Sequence, residues 1–333
     1  MVNRQFLLAS RPDGMITESN FRMVESSVPS PNDGEFLARS LYLSVDPYMR
    51  GRMSAARSYA TPVEVGALME GRGVAEVLES KHPGYQPGDR VLLSTGWQEY
   101  VLSNGRGVRK VDPSITPVSM ALSVVGMTGL TAYFGLLEVC GVKPGETVVV
   151  SGAAGAVGSV VGQIAKLKGC YTVGIAGGAK KVDFIRRECG FDAVLDYKAS
   201  KDYSADLAAL CPNRVDVYFD NTGGPISDAV FANLNFFARV AICGQIAQYN
   251  DAQPSVGPRI LRHVLVNRAK VQGFIVTDFQ DRTDAALAEL TQWFKEGKIK
   301  GFEDVVEGFE NMPGALIGLF TGDNTGKRVV KIA

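Results

Sequence analysis

The chain has 333 residues, of which 46% are hydrophobic and 21% are charged, as in ordinary globular proteins. Its 35 Lys and Arg residues balance 35 Asp and Glu residues, so no net basic field favours nucleic acid or an anionic membrane as a partner. No apolar stretch approaches the roughly 18 residues that a membrane-spanning helix needs, so we expect no membrane segment.

The first 120 or so residues contain short strand candidates separated by turn signals. Strands are predicted over 34–43, 73–78 and 89–93, and Gln86-Pro87-Gly88-Asp89 is a typical turn sequence. Because no regular helix separates these strands, the pattern predicts a mainly β, barrel-like module.

From about residue 119 the pattern changes to alternating helices and strands. Helices are predicted over 119–122, 129–136, 179–189 and 281–296, the last ending at Gly297. Strands are predicted over 147–151, 171–176, 193–196, 215–220, 239–243 and 271–276, and again at 305–306 and 328–332. Strands and helices that alternate at this spacing predict an α/β domain with a parallel sheet.

The most informative motif is Gly152-Ala153-Ala154-Gly155-Ala156-Val157-Gly158, which directly follows the apolar run 147–151. A buried strand, a glycine-rich loop and a helix occur here in the order that a dinucleotide site requires. The backbone at Gly152, Ala154, Gly155, Ala156 and Val157 is the predicted pyrophosphate contact, next to the positive end of the helix dipole. The alternative is a glycine-rich turn that only packs the helix on the strand.

The end of the second strand indicates which dinucleotide binds. Sites for NAD usually place an acidic residue there, whereas this strand ends in Gly177-Gly178 followed by Lys180 and Lys181. Gly178 leaves room for a 2′-phosphate and Lys181 supplies a cation for it, with Lys180 as the second candidate. The sequence therefore favours NADPH over NADH; the alternative is a pair of solvated lysines.

Polar residues follow the next strands of the predicted sheet. Tyr197 follows the third strand, Asn221 the fourth, and Cys243-Gly244 the fifth, with Tyr249 just beyond. Ligands of open α/β sheets lie beyond these carboxyl ends, so we expect these residues to face the cofactor. For each polar residue taken alone, capping of a turn is the alternative.

The inventory of metal ligands predicts no metal site. The chain has two histidines, His82 and His263, and no two of its five cysteines stand at the short spacing of structural zinc sites. An odd number of cysteines fits reduced thiols in the cytoplasm, and no signal peptide is visible at the N-terminus.

Several segments together resemble one family, the zinc-free medium-chain dehydrogenase/reductases, in the branch of the leukotriene B4 dehydrogenases (prostaglandin reductases) and bacterial curcumin reductases. The resemblance spans essentially the whole chain. Its segments are 43–53, 59–63, 126–136, 153–158, 176–181, 220–224, 243–250, 271–276 and 324–327.

The resemblance implies a Rossmann NADPH-binding domain over 123–299 and a mainly β GroES-like catalytic domain over 1–122, completed by 300–333. It also implies a homodimer. By position it assigns Gly155, Lys181, Tyr197 and Asn221 to the nucleotide. The implied nicotinamide side is formed by Met127, Thr131, Cys243, Gly244, Tyr249, Phe274, Ile275, Val276 and Asn324.

Two positions depart from the family pattern. Thr128 stands where a proline often follows the glycine–methionine pair, and Val266 stands where plant members carry a tyrosine near the substrate. An acid role for that tyrosine therefore does not transfer to this chain.

The implied reaction is the reduction of the carbon–carbon double bond of an α,β-unsaturated ketone or aldehyde. Hydride reaches the β-carbon, charge develops on the carbonyl oxygen, and the α-carbon is then protonated. Tyr48 is the first side-chain candidate for the carbonyl, because a phenol keeps its proton at neutral pH, and Tyr59 is the second. A core tyrosine and a surface-loop tyrosine are the respective alternatives, and water or a ribose hydroxyl is an alternative donor.

Two other functions stay open from the sequence. One is a quinone reductase of the same fold, and the other is a catalytically silent NADPH-binding protein. The small-molecule substrate itself is not specified by these residues.

Overall fold

The computed structural model describes residues 2–333, and the chain divides into two compact units. The first comprises the residues up to Leu122 with Glu303–Asn324 and Arg328–Ala333. The second comprises Ser123–Phe302 and Thr325–Lys327.

The regular elements are numbered along the chain. The strands are β1 (Val2–Leu8), β2 (Phe21–Ser27), β3 (Phe36–Ser44), β4 (Arg72–Ser80), β5 (Arg90–Ser94), β6 (Tyr100–Ser103), β7 (Arg109–Lys110), β8 (Thr147–Ser151), β9 (Tyr171–Ala176), β10 (Ala193–Asp196), β11 (Val215–Asp220), β12 (Leu234–Ile242), β13 (Lys270–Gly273), β14 (Glu303–Glu307) and β15 (Lys327–Lys331). The α-helices are α1 (Tyr48–Arg52), α2 (Met127–Tyr133), α3 (Gly158–Leu167), α4 (Ala179–Arg187), α5 (Tyr203–Leu210), α6 (Gly224–Ala232), α7 (Leu261–Asn267), α8 (Thr283–Lys295) and α9 (Met312–Thr321).

The first unit is built on a seven-stranded sheet. Its strand order is β14-β15-β3-β4-β5-β7, with β6 paired to β3, and β1 and β2 form a separate antiparallel pair. Trp97 is fully buried in the core of this unit, with Phe21 stacked on it at 5.2 Å between ring centroids. Met312 and Leu316 of α9 belong to the same core, so the C-terminal helix completes the hydrophobic interior of the unit.

The second unit is built on a six-stranded parallel sheet in the order β10-β9-β8-β11-β12-β13. Its central strand β8 reads Thr-Val-Val-Val-Ser and is buried along its whole length, as expected for a strand covered on both faces. The chain proceeds from β8 to β9 on one side and later returns to β11 on the other. Ligands of such sheets bind at this switch point, beyond the carboxyl ends of the strands.

The four predicted strands 147–151, 171–176, 193–196 and 215–220 are confirmed with the same bounds as β8 to β11. All four are rich in β-branched or other apolar residues and end at turn residues, so the local signal is strong. Within residues 2–333, no helix combines the length and the apolar character needed to cross a membrane.

Other predicted elements differ from the structure. The strand predicted over 271–276 ends at Gly273, because the Asp278 carboxylate accepts the backbone N–H of Ile275 (2.9 Å) and a 3-10 helix follows over Val276–Arg282. The helix predicted over 129–136 runs from Met127 to Tyr133 and continues as a π-helix over Phe134–Val139.

The first unit also contains a helix that the sequence pattern does not predict. Helix α9 reads Met-Pro-Gly-Ala-Leu-Ile-Gly-Leu-Phe-Thr, and glycine is a poor helix former. Burial of Met312, Leu316 and Leu319 in the core stabilises it as a helix, so tertiary packing overrides local propensity here.

Candidate functional site

The glycine loop lies between the end of β8 and the start of α3. Gly152 adopts φ +59°, and the backbone N–H of Gly155 donates to the Gly152 carbonyl (2.9 Å). A Cβ on Gly158 would lie 2.4 Å from the same carbonyl oxygen, so only glycine allows helix and loop to approach this closely. The N-terminus of α3 is therefore held directly behind the loop, in the arrangement that binds phosphate groups.

A second segment is hydrogen-bonded to this loop. The N–H of Gly326 donates to the Ala154 carbonyl (2.7 Å), and Gly326 forms a parallel bridge with Gly155. The N–H of Lys327 donates to the Phe302 carbonyl (2.8 Å). Asn324, predicted to close over the cofactor, directly precedes this segment in the chain and is half-buried.

Asp220 organises the carboxyl end of β11. Its fully buried carboxylate accepts hydrogen bonds from the hydroxyl groups of Tyr218 (2.8 Å), Ser227 (2.7 Å) and Ser151 (3.0 Å). The backbone N–H groups of Thr222 (3.0 Å) and Gly223 (2.9 Å) donate to it as well. Buried polar groups are costly unless they are hydrogen-bonded, and these five donors meet that requirement. The sequence motif contains Asp220, but only the structure assigns it this role.

Asn221 is positioned by the neighbouring strand. Its side-chain Nδ2 donates to the Ser151 carbonyl (2.7 Å) and its backbone N–H donates to the Ser151 hydroxyl (2.9 Å). Next to it, the buried hydroxyl of Thr222 has no hydrogen-bond partner within the described chain. A Cβ on Gly152 would lie 3.5 Å from Thr222 Cγ2, so this hydroxyl-bearing side chain lies beside the glycine loop.

The residues after β12 are hydrogen-bonded to the end of β11. The ends of β8, β11 and β12, with Asn221 among their residues, are called the Asn221 corner below. The N–H groups of Cys243 (2.8 Å) and Gly244 (3.1 Å) both donate to the Asp220 carbonyl. The Tyr249 hydroxyl accepts the N–H of Gln245 (3.2 Å), which folds Tyr249 back toward the strand end. Burial raises the pKa of the Cys243 thiol to about 12, so it stays protonated at neutral pH. The structure thus brings together the predicted segments at the ends of β8, β11 and β12.

The end of β9 combines glycines, an aromatic ring and a carboxylate. The ring of Tyr197 covers Gly177 so closely that a Cβ there would lie 2.5 Å from it. Asp196, paired in register with Ala176, accepts the N–H groups of Gly178 (2.8 Å) and Lys198 (3.0 Å). The tip of β9 has no acidic residue of its own. The neighbouring strand places Asp196 there, and its carboxylate accepts hydrogen bonds from the backbone. Sequence reasoning missed this contact, although the register of parallel strand ends could have indicated it.

The two lysines predicted for the 2′-phosphate both lie in the first turn of α4. Lys180 is exposed and Lys181 is half-buried. Gly178 directly precedes the helix with φ +87°. A cation close to a helix N-terminus forms a suitable environment for a phosphate group.

The remaining predicted nicotinamide contacts lie on α2 and after β13. The Thr131 hydroxyl donates to the Met127 carbonyl (2.8 Å) within α2, so its proton is used inside the helix. Phe274 is buried with its ring edge-on to Phe219, at 6.1 Å between centroids. Ile275 and Val276, which follow, are half-buried. Thr128, also on α2, has a buried hydroxyl that has no partner within residues 2–333.

Tyr48 is the first residue of α1 in the first unit and is half-buried. Burial, then the charges of Asp46 and Glu70, raise the pKa of its phenol above the ordinary value, whereas the charges of Arg52 and Arg72 oppose this. The phenol is therefore protonated at all physiological pH values and can donate a hydrogen bond.

Arg52 connects the two predicted catalytic tyrosines. Its guanidinium lies 5.5 Å from the ring centroid of Tyr48 and 4.8 Å from that of Tyr59, and it forms an ion pair with Glu70. Tyr59 is 60% exposed. Both tyrosines therefore belong to one cluster of side chains, with Tyr48 the more enclosed of the two.

Across residues 2–333, no group of three or more His, Cys, Asp or Glu side chains is arranged so that it could hold a metal ion. The five cysteines are free thiols, four of them buried.

Comparison with known proteins identifies the family. Residues 4–111 match a family described as the N-terminal domain of oxidoreductase, and residues 156–292 match one described as zinc-binding dehydrogenase. The chain is 45% identical to the NADPH-dependent curcumin reductase of Escherichia coli, over 99% of this chain and 97% of that protein. It is 45% identical to prostaglandin reductase 1 of Rattus norvegicus, over 96% of each chain.

A solved structure agrees with these relatives. The structure of CurA from Vibrio vulnificus in complex with NADPH superimposes with a TM-score of 0.95 at 46% identity, over 99% of both chains. The chain therefore belongs to the zinc-free medium-chain dehydrogenase/reductases, in the branch of the prostaglandin reductases and the bacterial curcumin reductases.

Proposed function

We propose that this chain is an oxidoreductase that uses NADPH to reduce the carbon–carbon double bond of α,β-unsaturated ketones or aldehydes, without a metal. The observation that carries the proposal is that Ser151 joins the glycine loop of the second unit to the Asn221 corner. The chain that contains this site is similar over its full length to an NADPH-dependent curcumin reductase. The other relative named above is a prostaglandin reductase.

The architecture of the second unit fits NADPH. The loop from Gly152 to Val157 presents backbone N–H groups for the pyrophosphate in front of α3. Lys181 is the proposed partner of the 2′-phosphate, with Gly178 leaving space for it, and Tyr197 is the proposed adenine contact. The orphaned hydroxyl of Thr222 beside the loop is a further donor that a bound nucleotide would satisfy.

The nicotinamide end is proposed to lie against the Asn221 corner. Cys243, Gly244 and Tyr249 are tied to this corner by hydrogen bonds and by close packing. The other proposed contacts are Met127, Thr131, Phe274, Ile275, Val276 and Asn324. In the same proposal, 123–299 forms the NADPH-binding domain, and 1–122 with 300–333 forms the catalytic domain.

The chemistry requires a hydrogen-bond donor for the substrate carbonyl. When bound, NADPH supplies the hydride that is added to the β-carbon. Tyr48 is the proposed donor to the carbonyl oxygen, because its phenol is half-buried and keeps its proton. A donor placed where negative charge develops stabilises the transition state more than the ground state. Tyr59 is the second candidate for the same role.

We also propose a homodimer formed through the outer edge of the parallel sheet. Strand β13 ends the sheet, and the outer edge of such a strand offers unpaired N–H and C=O groups to another chain. Helix α7 lies nearby on β12 and exposes Leu261 (75%), Leu265 (77%) and Val266 (56%). Apolar side chains exposed together beside an open edge favour a second copy as the occupant. A cytoplasmic location is proposed from the five free thiols.

The test is to follow oxidation of NADPH and of NADH with a 2-alkenal, an enone, curcumin and a simple quinone, with product identification by mass. We expect saturated carbonyl products and a strong preference for NADPH. Turnover confined to the quinone would assign the chain to quinone reduction instead. NADPH binding without turnover of any enone would contradict the enzymatic proposal and leave a binding protein.

A further inference from the structure

Arg72, the first residue of β4, forms no ion pair through its guanidinium within the described chain. Its Nε is buried and has no acceptor within the described chain, and none of the carboxylates of residues 2–333 pairs with its guanidinium. Arg52 differs, because its guanidinium is paired with Glu70. A half-buried cation without a partner lowers the stability of the fold, because its desolvation is not compensated. This cost distinguishes Arg72 from a fully solvated surface arginine.

The backbone at position 72 is fixed from both sides. A Cβ on Gly71 would lie 3.0 Å from the Trp97 ring and 3.4 Å from Met49 of α1. A Cβ on Gly73 would lie 2.9 Å from the Leu43 side chain and equally close to the Thr95 side chain. Successive side chains of a strand point to opposite faces, so these close contacts direct the Arg72 side chain away from the face that Gly71 and Gly73 pack.

The surroundings of Arg72 connect it to Tyr48. Strand β4 pairs with β3 up to Gly73 opposite Leu43, and the chain continues from the end of β3 through Asp46 to Tyr48 at the start of α1. The charge of Arg72 acts on the Tyr48 phenol, and the strongest effect on Arg72 is burial, which lowers its pKa. An arginine remains charged under these conditions, since its ordinary pKa is above 12. The Asp46 carboxylate, the other charge that acts on Arg72, accepts the Ser44 hydroxyl.

We propose that Arg72 stabilises the negative charge that develops on the substrate carbonyl oxygen, beside the hydrogen bond from Tyr48. This inference rests on the proposed function. Hydride addition forms a C–H bond at the β-carbon and moves the π-electron pair onto the carbonyl oxygen, so the substrate is reduced by two electrons and carries one negative charge. A proton from water then adds to the α-carbon, which restores the carbonyl group and leaves the saturated product neutral. A fixed cation near that oxygen acts mainly on the charged state.

The same arrangement has consequences for the substrate class. If the phenol and the guanidinium both act on one oxygen, as proposed, the site favours carbonyl-conjugated alkenes, in which the charge can reach an oxygen. An isolated alkene offers no such oxygen, so we expect no turnover with it.

The test compares the wild-type chain with Arg72→Met, Arg72→Gln and Arg72→Lys on a neutral enone. Removal of the charge is expected to lower kcat about 100- to 1,000-fold, the range found when one oxyanion-stabilising donor is lost. The KM for the enone and the Kd for NADPH, measured by fluorescence titration, are expected to change less than about threefold. Arg72→Lys keeps the charge, so its log kcat is expected to recover at least a third of the difference between Arg72→Met and the wild type.

Arg90→Met, an exposed arginine on the neighbouring strand β5, is the matched control and is expected to keep the wild-type kcat. An unchanged kcat in Arg72→Met and Arg72→Gln, with a normal wild-type rate, would overturn the inference alone. The inference would also be overturned if the variants lost activity only on an enone that carries a carboxylate, through a raised KM. That result would show that Arg72 binds an anionic group of the substrate. Wild-type protein that binds NADPH but reduces no enone would overturn the proposed function and this inference together.

Discussion

Asn221 is held to Ser151 at two points, through its side-chain Nδ2 on the Ser151 carbonyl (2.7 Å) and its backbone N–H on the Ser151 hydroxyl (2.9 Å). The same hydroxyl donates to the buried carboxylate of Asp220 (3.0 Å). One serine at the end of β8 therefore connects the glycine loop to the corner proposed to hold the nicotinamide end.

Ser151→Ala removes the two hydrogen bonds of the hydroxyl group and keeps the one to the Ser151 carbonyl. We expect the free energy of unfolding to fall by about 1–3 kcal/mol, because the buried Asp220 carboxylate and the Asn221 N–H each lose a partner. We also expect the Kd for NADPH to rise, since Asn221 loses one of its two anchors. Thermal unfolding and fluorescence titration measure the two effects. Ser114→Ala, in an exposed turn, is the control; equal behaviour of both variants would contradict the connecting role of Ser151.

Lys181→Ala tests the choice between the two dinucleotides. Loss of a charge-assisted contact with the 2′-phosphate is expected to raise the KM for NADPH about 10- to 30-fold and to leave the KM for NADH nearly unchanged. Steady-state rates with both cofactors measure this. Lys180→Ala is expected to have a smaller effect, and the exposed Lys201→Ala none. Equal losses with both cofactors would show that Lys181 does not contact the 2′-phosphate.

Tyr48→Phe removes the proposed donor to the substrate carbonyl while keeping the ring that packs near Arg52. We expect kcat on an enone to fall about 10- to 100-fold, with the Kd for NADPH unchanged. Tyr59→Phe is expected to lower kcat less than Tyr48→Phe does, because Tyr59 is 60% exposed. Tyr171→Phe, at the opposite end of β9 from the site, is the control. If Tyr59→Phe lost more activity than Tyr48→Phe, the two roles would have to be exchanged.

Glu146 and Arg239 form a two-pronged ion pair, with N–O distances of 2.6 and 2.9 Å. Burial pushes the pKa of Glu146 up, but the hydrogen bonds from Arg239 and from the Lys143 N–H outweigh it, so the pKa is lowered. A carboxyl whose folded pKa is depressed contributes stability above its unfolded pKa, and this contribution is lost as the pH falls through the folded value.

Glu146→Gln is therefore expected to lower the stability at pH 7 by about 1–2 kcal/mol, and the difference from wild type is expected to shrink below about pH 4. Thermal unfolding at several pH values measures it. Glu79→Gln, on an exposed position of β4, serves as the control. A difference that stayed constant down to pH 3 would exclude the charge of Glu146 as its cause.

Leu265→Glu tests the proposed dimer. A charge at this exposed position of α7 is expected to shift a dimer toward monomers in sedimentation or light scattering, without lowering the melting temperature of the monomer itself. Val256→Glu, fully exposed elsewhere, is the matched control. A wild-type chain that is monomeric at micromolar concentration would refute the dimer directly.

The sequence alone determined the parallel strands and the nature of the loop between them. Strands β8 to β11 have the predicted bounds because short apolar runs that end at a turn residue carry a strong local signal. The glycine loop and the family resemblance depend on consecutive residues, so they are visible without the fold. The predicted strand beyond Gly273 was wrong, because a side-chain hydrogen bond from outside the pattern, at Asp278, redirects the backbone.

Only the tertiary structure decided which residues share a corner. The carboxylate of Asp196 reaches the tip of β9 from a neighbouring strand, and Ser151 is hydrogen-bonded to Asp220 and Asn221, which lie some 70 residues further along the chain. Arg72 is unremarkable in the sequence, and its lack of a partner emerges only when the strands are paired. Such relationships depend on register and burial, which many distant contacts set together, whereas a sequence pattern records only the preferences of neighbouring residues.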